Sequence, residues 1–193
     1  MCMTISLRRI ALWIGVVLCV LALPFVATIL SAEVNWDSTD FIVLSSILIT
    51  GIVLYELSIR KSRTTVYRIA AATGIIGALL LFWVNAGVGI IGSENQSVNL
   101  WFYAVYVVGL AGAWRSKLSP SGMSNTLFAM SVVPLLVTTI AWILVPEPSI
   151  SWSPGIIGVY LVSLFFSSMF FGSGLMFRHA STRLNSPDAL NDR

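Results

Sequence analysis

Charge is what this sequence has least of. Only 10% of its 193 residues are Asp, Glu, Lys or Arg, and 57% are hydrophobic, against about 25% charged in an ordinary soluble domain. A water-soluble monomer of this composition would have too little polar surface to cover itself. Cysteine is nearly absent: Cys2 and Cys19 form no CxxC, zinc or haem-attachment spacing and give no disulfide framework. One histidine, His179, excludes a multi-histidine metal site. No phosphate-binding loop, HExxH or GxSxG occurs, and these absences argue against nucleotide-driven, zinc-protease and serine-hydrolase chemistry. The polar connections are too short to hold a soluble catalytic domain. The expectation is a chain that is not an enzyme, with no cofactor, metal or nucleic-acid partner.

What is there is apolar and long. Apolar stretches fall at about 9–32, 40–59, 68–91, 99–114, 123–145 and 155–177. A helix rises about 1.5 Å per residue, so about 20 residues cross a hydrocarbon core about 30 Å thick. Five stretches reach that length; the fourth is short and borrows flanking residues such as Ser97, Val98 and Lys117. None alternates as a barrel strand does, and in lipid a helix satisfies its own backbone. The reading is an all-α integral membrane bundle of six transmembrane helices, forming one domain over 1–193 with a short cytoplasmic tail at 178–193.

The few charges fix a direction. Arg8 and Arg9 precede the first span, and Arg60, Lys61, Arg63 and Arg68 lie between the second and third. Arg115 and Lys117 follow the fourth; Arg178, Arg183 and Arg193 follow the sixth. Six crossings put all 11 basic residues on one side, the positive-inside pattern, with both termini cytoplasmic. The opposite loops carry Glu33, Asp37, Asp40, Glu94 and Glu147. Trp36, Trp83, Trp101, Trp142 and Trp152 fall near the outer ends of spans and Trp114 near an inner one, as an anchoring belt of amphipathic rings does. The first span also reads as a signal peptide with cleavage after Ala32. Its length and the leucine at position 30 favour a retained helix.

The run YRIAAATGIIGALLLFWVNAGVGIIGSENQSVNL, with VNWDSTDF at 34–41, YEL at 55–57 and MFRHAS near the end, resembles an uncharacterised family of small bacterial multi-pass inner-membrane proteins. Members of that family carry a WVNxxVGIIGSExNxxNL-like core. The likeness spans about 34–183; the first span is an addition to the pattern, and Gln96-Ser97 replaces a proline-containing loop. The resemblance implies a helical fold and a location in the bacterial inner membrane. It implies no chemistry.

Within the apolar frame, polar side chains gather at 83–101, WVNAGVGIIGSENQSVNLW. Most of this stretch reads as an outer turn, with Gly92 ending one helix and Ser97 or Asn99 capping the next. Asn85 lies deeper, about two turns before Gly92, where an amide commonly bonds a neighbouring helix. The structural reading is glue in a sealed contact; the functional one is an outer polar vestibule lined by Asn85, Glu94, Asn95 and Asn99. Glu56, the one acid inside a span, stands four residues before Arg60, a favourable order for a helical ion pair, so Glu56–Arg60 is the expected intramembrane pair. Small residues recur every fourth position: Ala70, Gly74 and Ala78; Gly109 and Ala113; Ser168 and Gly172. Such stripes let helices approach closely, and Pro24 and Pro134 each remove one helical hydrogen bond. GIIG occurs at 74–77, 89–92 and 155–158; the first and third open spans three and six from opposite faces, as an inverted repeat would require, but in a chain this rich in Gly and Ile chance is the better account. Two functional classes follow: a structural or accessory membrane component, which is favoured, and a small transporter or channel. The partners expected are the lipid bilayer, with other membrane proteins or a second copy beyond it.

Overall fold

A computed structural model describes residues 7–30, 36–61, 64–145 and 151–184. Cys2, Ala32, Glu33, Arg63, Glu147 and Arg193, and with them the cleavage reading, lie outside these residues. The described residues are helical, with no strand among them. Among the described residues, six helices are long and apolar enough to cross a membrane. They are α1 Leu7–Leu30, α2 Ser38–Ile59, α3 Thr65–Gly87, α4 Ala104–Ser116 with a 3₁₀ segment Ser97–Tyr103 leading into it, α5 Pro120–Leu144 and α6 Ile156–Leu184.

The 3₁₀ segment is how the short fourth stretch gains length. Its seven residues rise about 2.0 Å each rather than about 1.5 Å, which stretches Ser97–Ser116 by about 3–4 Å. At the other extreme, α6 continues through Arg178 to Leu184. The expected tail at 178–193 is therefore helical in its first part, because nothing in MFRHASTRL breaks a helix.

One domain was the expectation from sequence, but the chain divides into two compact units, Met1–Glu56 and Leu57–Arg193. The first contains α1 and most of α2. Trp13 meets Tyr55 and Phe25 meets Phe41, so the two helices run antiparallel. No residue of α1 is buried.

The second unit is a bundle of α3 to α6. α5 packs on α6, α6 on α3, and α4 on α5, and Tyr106 of α4 closes the ring by donating to the Ala78 carbonyl of α3 at 2.9 Å. Buried positions on three helices step alternately by three and four: Tyr67, Ala70, Gly74, Gly77 and Leu81; Ser124, Leu127, Ser131, Pro134, Thr138 and Ala141; Val159, Ser163, Phe166, Phe170, Ser173, Phe177 and Ala180. An average step of about 3.5 residues is the spacing that suits the seam of a left-handed bundle, finer than the every-fourth stripes suggest. Ala70 and Gly74 do face α6, where the Ser173 hydroxyl donates to the Ala70 carbonyl at 2.8 Å. Ala78 is only half-buried; the seam passes to Gly77, against Met169 and Phe170. On α6 the expected Ser168–Gly172 stripe points away: Ser168 is exposed and Gly172 has nothing near its Cβ position. Ser173, one position on, meets α3, and Gly174, two positions on, meets Ser124 and Phe128 of α5. Gly109 lies on Met130 and Gly112 on Thr126, both across the α4–α5 contact.

The three GIIG copies adopt unlike structures: helix at 74–77, turn at 89–92, and a glycine with φ +100° ahead of α6 at 155–158. This difference leaves no structural basis for a repeat. Of the expected belt, Trp114 is 87% exposed but Trp152 only 6%, so Trp152 is a packed residue rather than an anchor.

Candidate functional site

The polar cluster begins where α3 stops. The apolar run continues to Ile91, yet the helix ends at Gly87. Val88 and Gly89 both donate to the Val84 carbonyl, at 3.0 Å each, and Gly89 has φ +80°. This is a left-handed glycine cap; a side chain at Gly89 would also strike the Ser93 and Glu94 backbone. Asn85 therefore sits in the last turn of α3, closer to the turn than a helix running to 91 would place it.

Ending the helix early leaves Ile90 and Ile91 with buried backbone groups and no helical partners. Asn99 supplies them. Its Oδ1 accepts from the Ile90 and Ile91 N–H groups at 3.1 and 2.9 Å. Its Nδ2 donates to the Ile91 and Ser93 carbonyls at 3.1 and 2.8 Å. An amide offers two donors and two acceptor lone pairs, and Asn99 spends all four on one turn. Its own carbonyl accepts from Asn85 Nδ2 at 3.1 Å. Asn85 is 5% exposed and Asn99 3%. Because a carbonyl only accepts, this bond fixes the Asn85 amide with its oxygen turned away, and that buried oxygen has no partner among the described residues.

The four candidate residues thus separate into two pairs. Asn85 and Asn99 meet in a buried contact. Glu94 and Asn95 are exposed, and Asn95 Nδ2 donates to Glu94 Oε1 at 3.0 Å. Neither Ser97 nor Asn99 caps the following helix: the 3₁₀ segment starts after Gln96 without a side-chain cap. Gln96, which reads from sequence as an ordinary turn residue, donates from Nε2 to the Ser151 carbonyl at 3.1 Å, and the Gly92 N–H donates to the Ser153 carbonyl, also at 3.1 Å. These bonds join the 88–96 turn to the segment before α6. No local signal in the chain announces a partner 55 residues away.

The other candidate is also corrected. Glu56 is 6% exposed, and its ion pair is with Arg9 of α1, Nη1 to Oε2 at 3.6 Å, not with Arg60, which is exposed. Trp13 Nε1 donates to Glu56 Oε1 at 2.9 Å. α2 ends at Ile59, so Arg60 stands past the helical turn that would have set it beside Glu56, and the donors on α1 reach the carboxylate instead.

Further polar groups line the α5–α6 seam. Ser124 donates to the Gly174 carbonyl at 2.9 Å, and the Thr138 and Ser163 hydroxyls share a hydrogen bond at 2.7 Å. Tyr67 donates to the Leu118 carbonyl at 2.7 Å, holding the turn after α4 in which Lys117 and Leu118 both have positive φ. The heptad spacing of Ser124, Ser131 and Thr138 was the available sequence signal for this seam. Among the described residues, no three of His, Cys, Asp and Glu stand together as metal ligands would. Compared with protein-family models, curated proteins and solved structures, the chain matches none.

Proposed function

We propose that this chain is a multi-pass membrane protein, N-in and C-in, of the bacterial inner membrane, serving as a structural or accessory component whose contacts are lipid and other membrane proteins. The likeness of its WVN–GIIGSE core to the bacterial family supports the location. The one-sided distribution of 11 basic residues supports the orientation.

The observation that carries the functional reading is the bonding of Asn99. A site for a polar solute keeps polar groups free to converge on it. Here the more buried amide, Asn99, spends every donor and acceptor on the backbone of its own turn, and Asn85 gives one of its N–H groups to the Asn99 carbonyl. On the α5–α6 seam, the Ser124, Thr138 and Ser163 hydroxyls are likewise used between helices. Polar side chains inside a membrane bundle that bond one another act as packing glue.

Water access decides between this reading and an outer vestibule. In a chain with Cys2 and Cys19 replaced by serine, Asn85→Cys and Glu94→Cys are each treated in detergent with a small hydrophilic thiol reagent. The glue reading expects rapid modification at position 94 and almost none at 85. Comparable rates at both would establish the vestibule and remove the structural reading.

A further inference from the structure

In lipid, an apolar helix gains nothing by hiding from solvent, so docking rests on close packing and polar bonds. α1 has little of the first: none of its residues is buried. Its ring contacts with α2 are two edge-on pairs, Trp13–Tyr55 and Phe25–Phe41, with centroids 5.7 and 6.4 Å apart. Two of its polar side chains, Arg9 and Trp13, converge on one residue of α2, Glu56. Arg9 reaches Glu56 Oε2 and Trp13 donates to Oε1, so each carboxylate oxygen is engaged from α1. Undocking would leave an intramembrane carboxylate without these partners, which is costly. The boundary between the two compact units falls directly after Glu56.

We infer that α1 is a latched helix, held on α2 by the Arg9–Glu56–Trp13 clamp and released as a unit when Glu56 is lost, with 57–193 remaining folded. The latch rests on the membrane reading, since in water the exposed apolar surface of α1 would hold it down without any clamp. The clamp thereby gives α1 two defined states, docked and free, governed by one carboxylate.

The test uses the full chain in lipid nanodiscs, with both native cysteines replaced by serine. A Phe25→Cys/Phe41→Cys pair reports docking far from the clamp. A Thr138→Cys/Ser163→Cys pair, at hydroxyls 2.7 Å apart, reports the fold of the second unit. Glu56→Ala is expected to slow 25–41 disulfide formation by about fivefold or more, the scale of an interhelical polar contact, and to leave the 138–163 bond unchanged. Arg9→Glu should slow it as well, and Arg9→Glu combined with Glu56→Arg should restore it. Parental 25–41 rates in Glu56→Ala overturn the latch. If Glu56→Ala loses both cross-links it has unfolded, and Arg9→Gln, at the more exposed partner, then decides on the same two readouts. A chain that does not stay with the lipid refutes the membrane reading, and the latch with it.

Discussion

At the scale of single residues, Asn85 and Asn99 look alike in sequence and differ in what they hold. Replacing Asn99 strips four hydrogen bonds from a buried turn. Each buried group left unpaired costs about 1–3 kcal/mol, moderated by relaxation of the turn. Asn99→Leu is therefore expected to destabilise the protein by about 3 kcal/mol or more. Asn85→Leu loses one bond and at the same time removes a buried oxygen that has no partner, so its cost should stay near 1 kcal/mol. Thermal melting in detergent checks the order; equal losses would mean the turn does not depend on the Asn99 amide. Asn85 is conspicuous in sequence because it interrupts an apolar run. Asn99 is not, because its importance comes from a helix ending early elsewhere.

At the scale of the elements, the contacts depend on which small residue faces which neighbour. A Cβ at Gly112 would lie 2.3 Å from the Thr126 side chain, and one at Gly74 would lie 2.9 Å from Ser173 Oγ and 3.1 Å from Leu127 Cδ1. One at Gly172 would meet nothing. Gly112→Ala and Gly74→Leu should each lower the melting temperature, by the equivalent of about 1–3 kcal/mol of overpacking. Gly172→Leu should melt like the parent. A Gly172→Leu variant as damaged as Gly74→Leu would show that the every-fourth stripe, rather than the alternating seam, makes the contact. The stripe is visible in sequence because small residues are easy to see. The seam is not, because its members range from glycine and serine to phenylalanine, and only their shared burial identifies them.

At the scale of the whole molecule, the proposed orientation follows from charge. In intact cells, a membrane-impermeant thiol reagent should modify Glu94→Cys and spare Lys61→Cys until the membrane is opened. Labelling at 61 with protection at 94 would invert the topology. The polar stretch at 83–101 then has a plain account. Its exposed members, Glu94 and Asn95, belong to a turn, and its buried members tie that turn to the end of α3 and, through Gln96 and Gly92, to the segment before α6.

The apolar runs of the sequence determined the helical class and the number of helices long and apolar enough to cross a membrane, because about 20 apolar residues in succession have one stable backbone form in lipid. The sequence also located the polar cluster and Glu56, the acid in the interior of the second apolar run. Only the tertiary structure decided the partners. Arg9 rather than Arg60 pairs with Glu56, Asn99 rather than a helical ladder bonds Ile90 and Ile91, and Ser173 rather than Ser168 meets α3. Each of these choices turns on rotation about a helix axis or on where a helix stops. One residue of shift rotates a side chain by about 100°, and the uniformly apolar faces of a membrane helix leave that rotation unmarked until the neighbouring helices are in place.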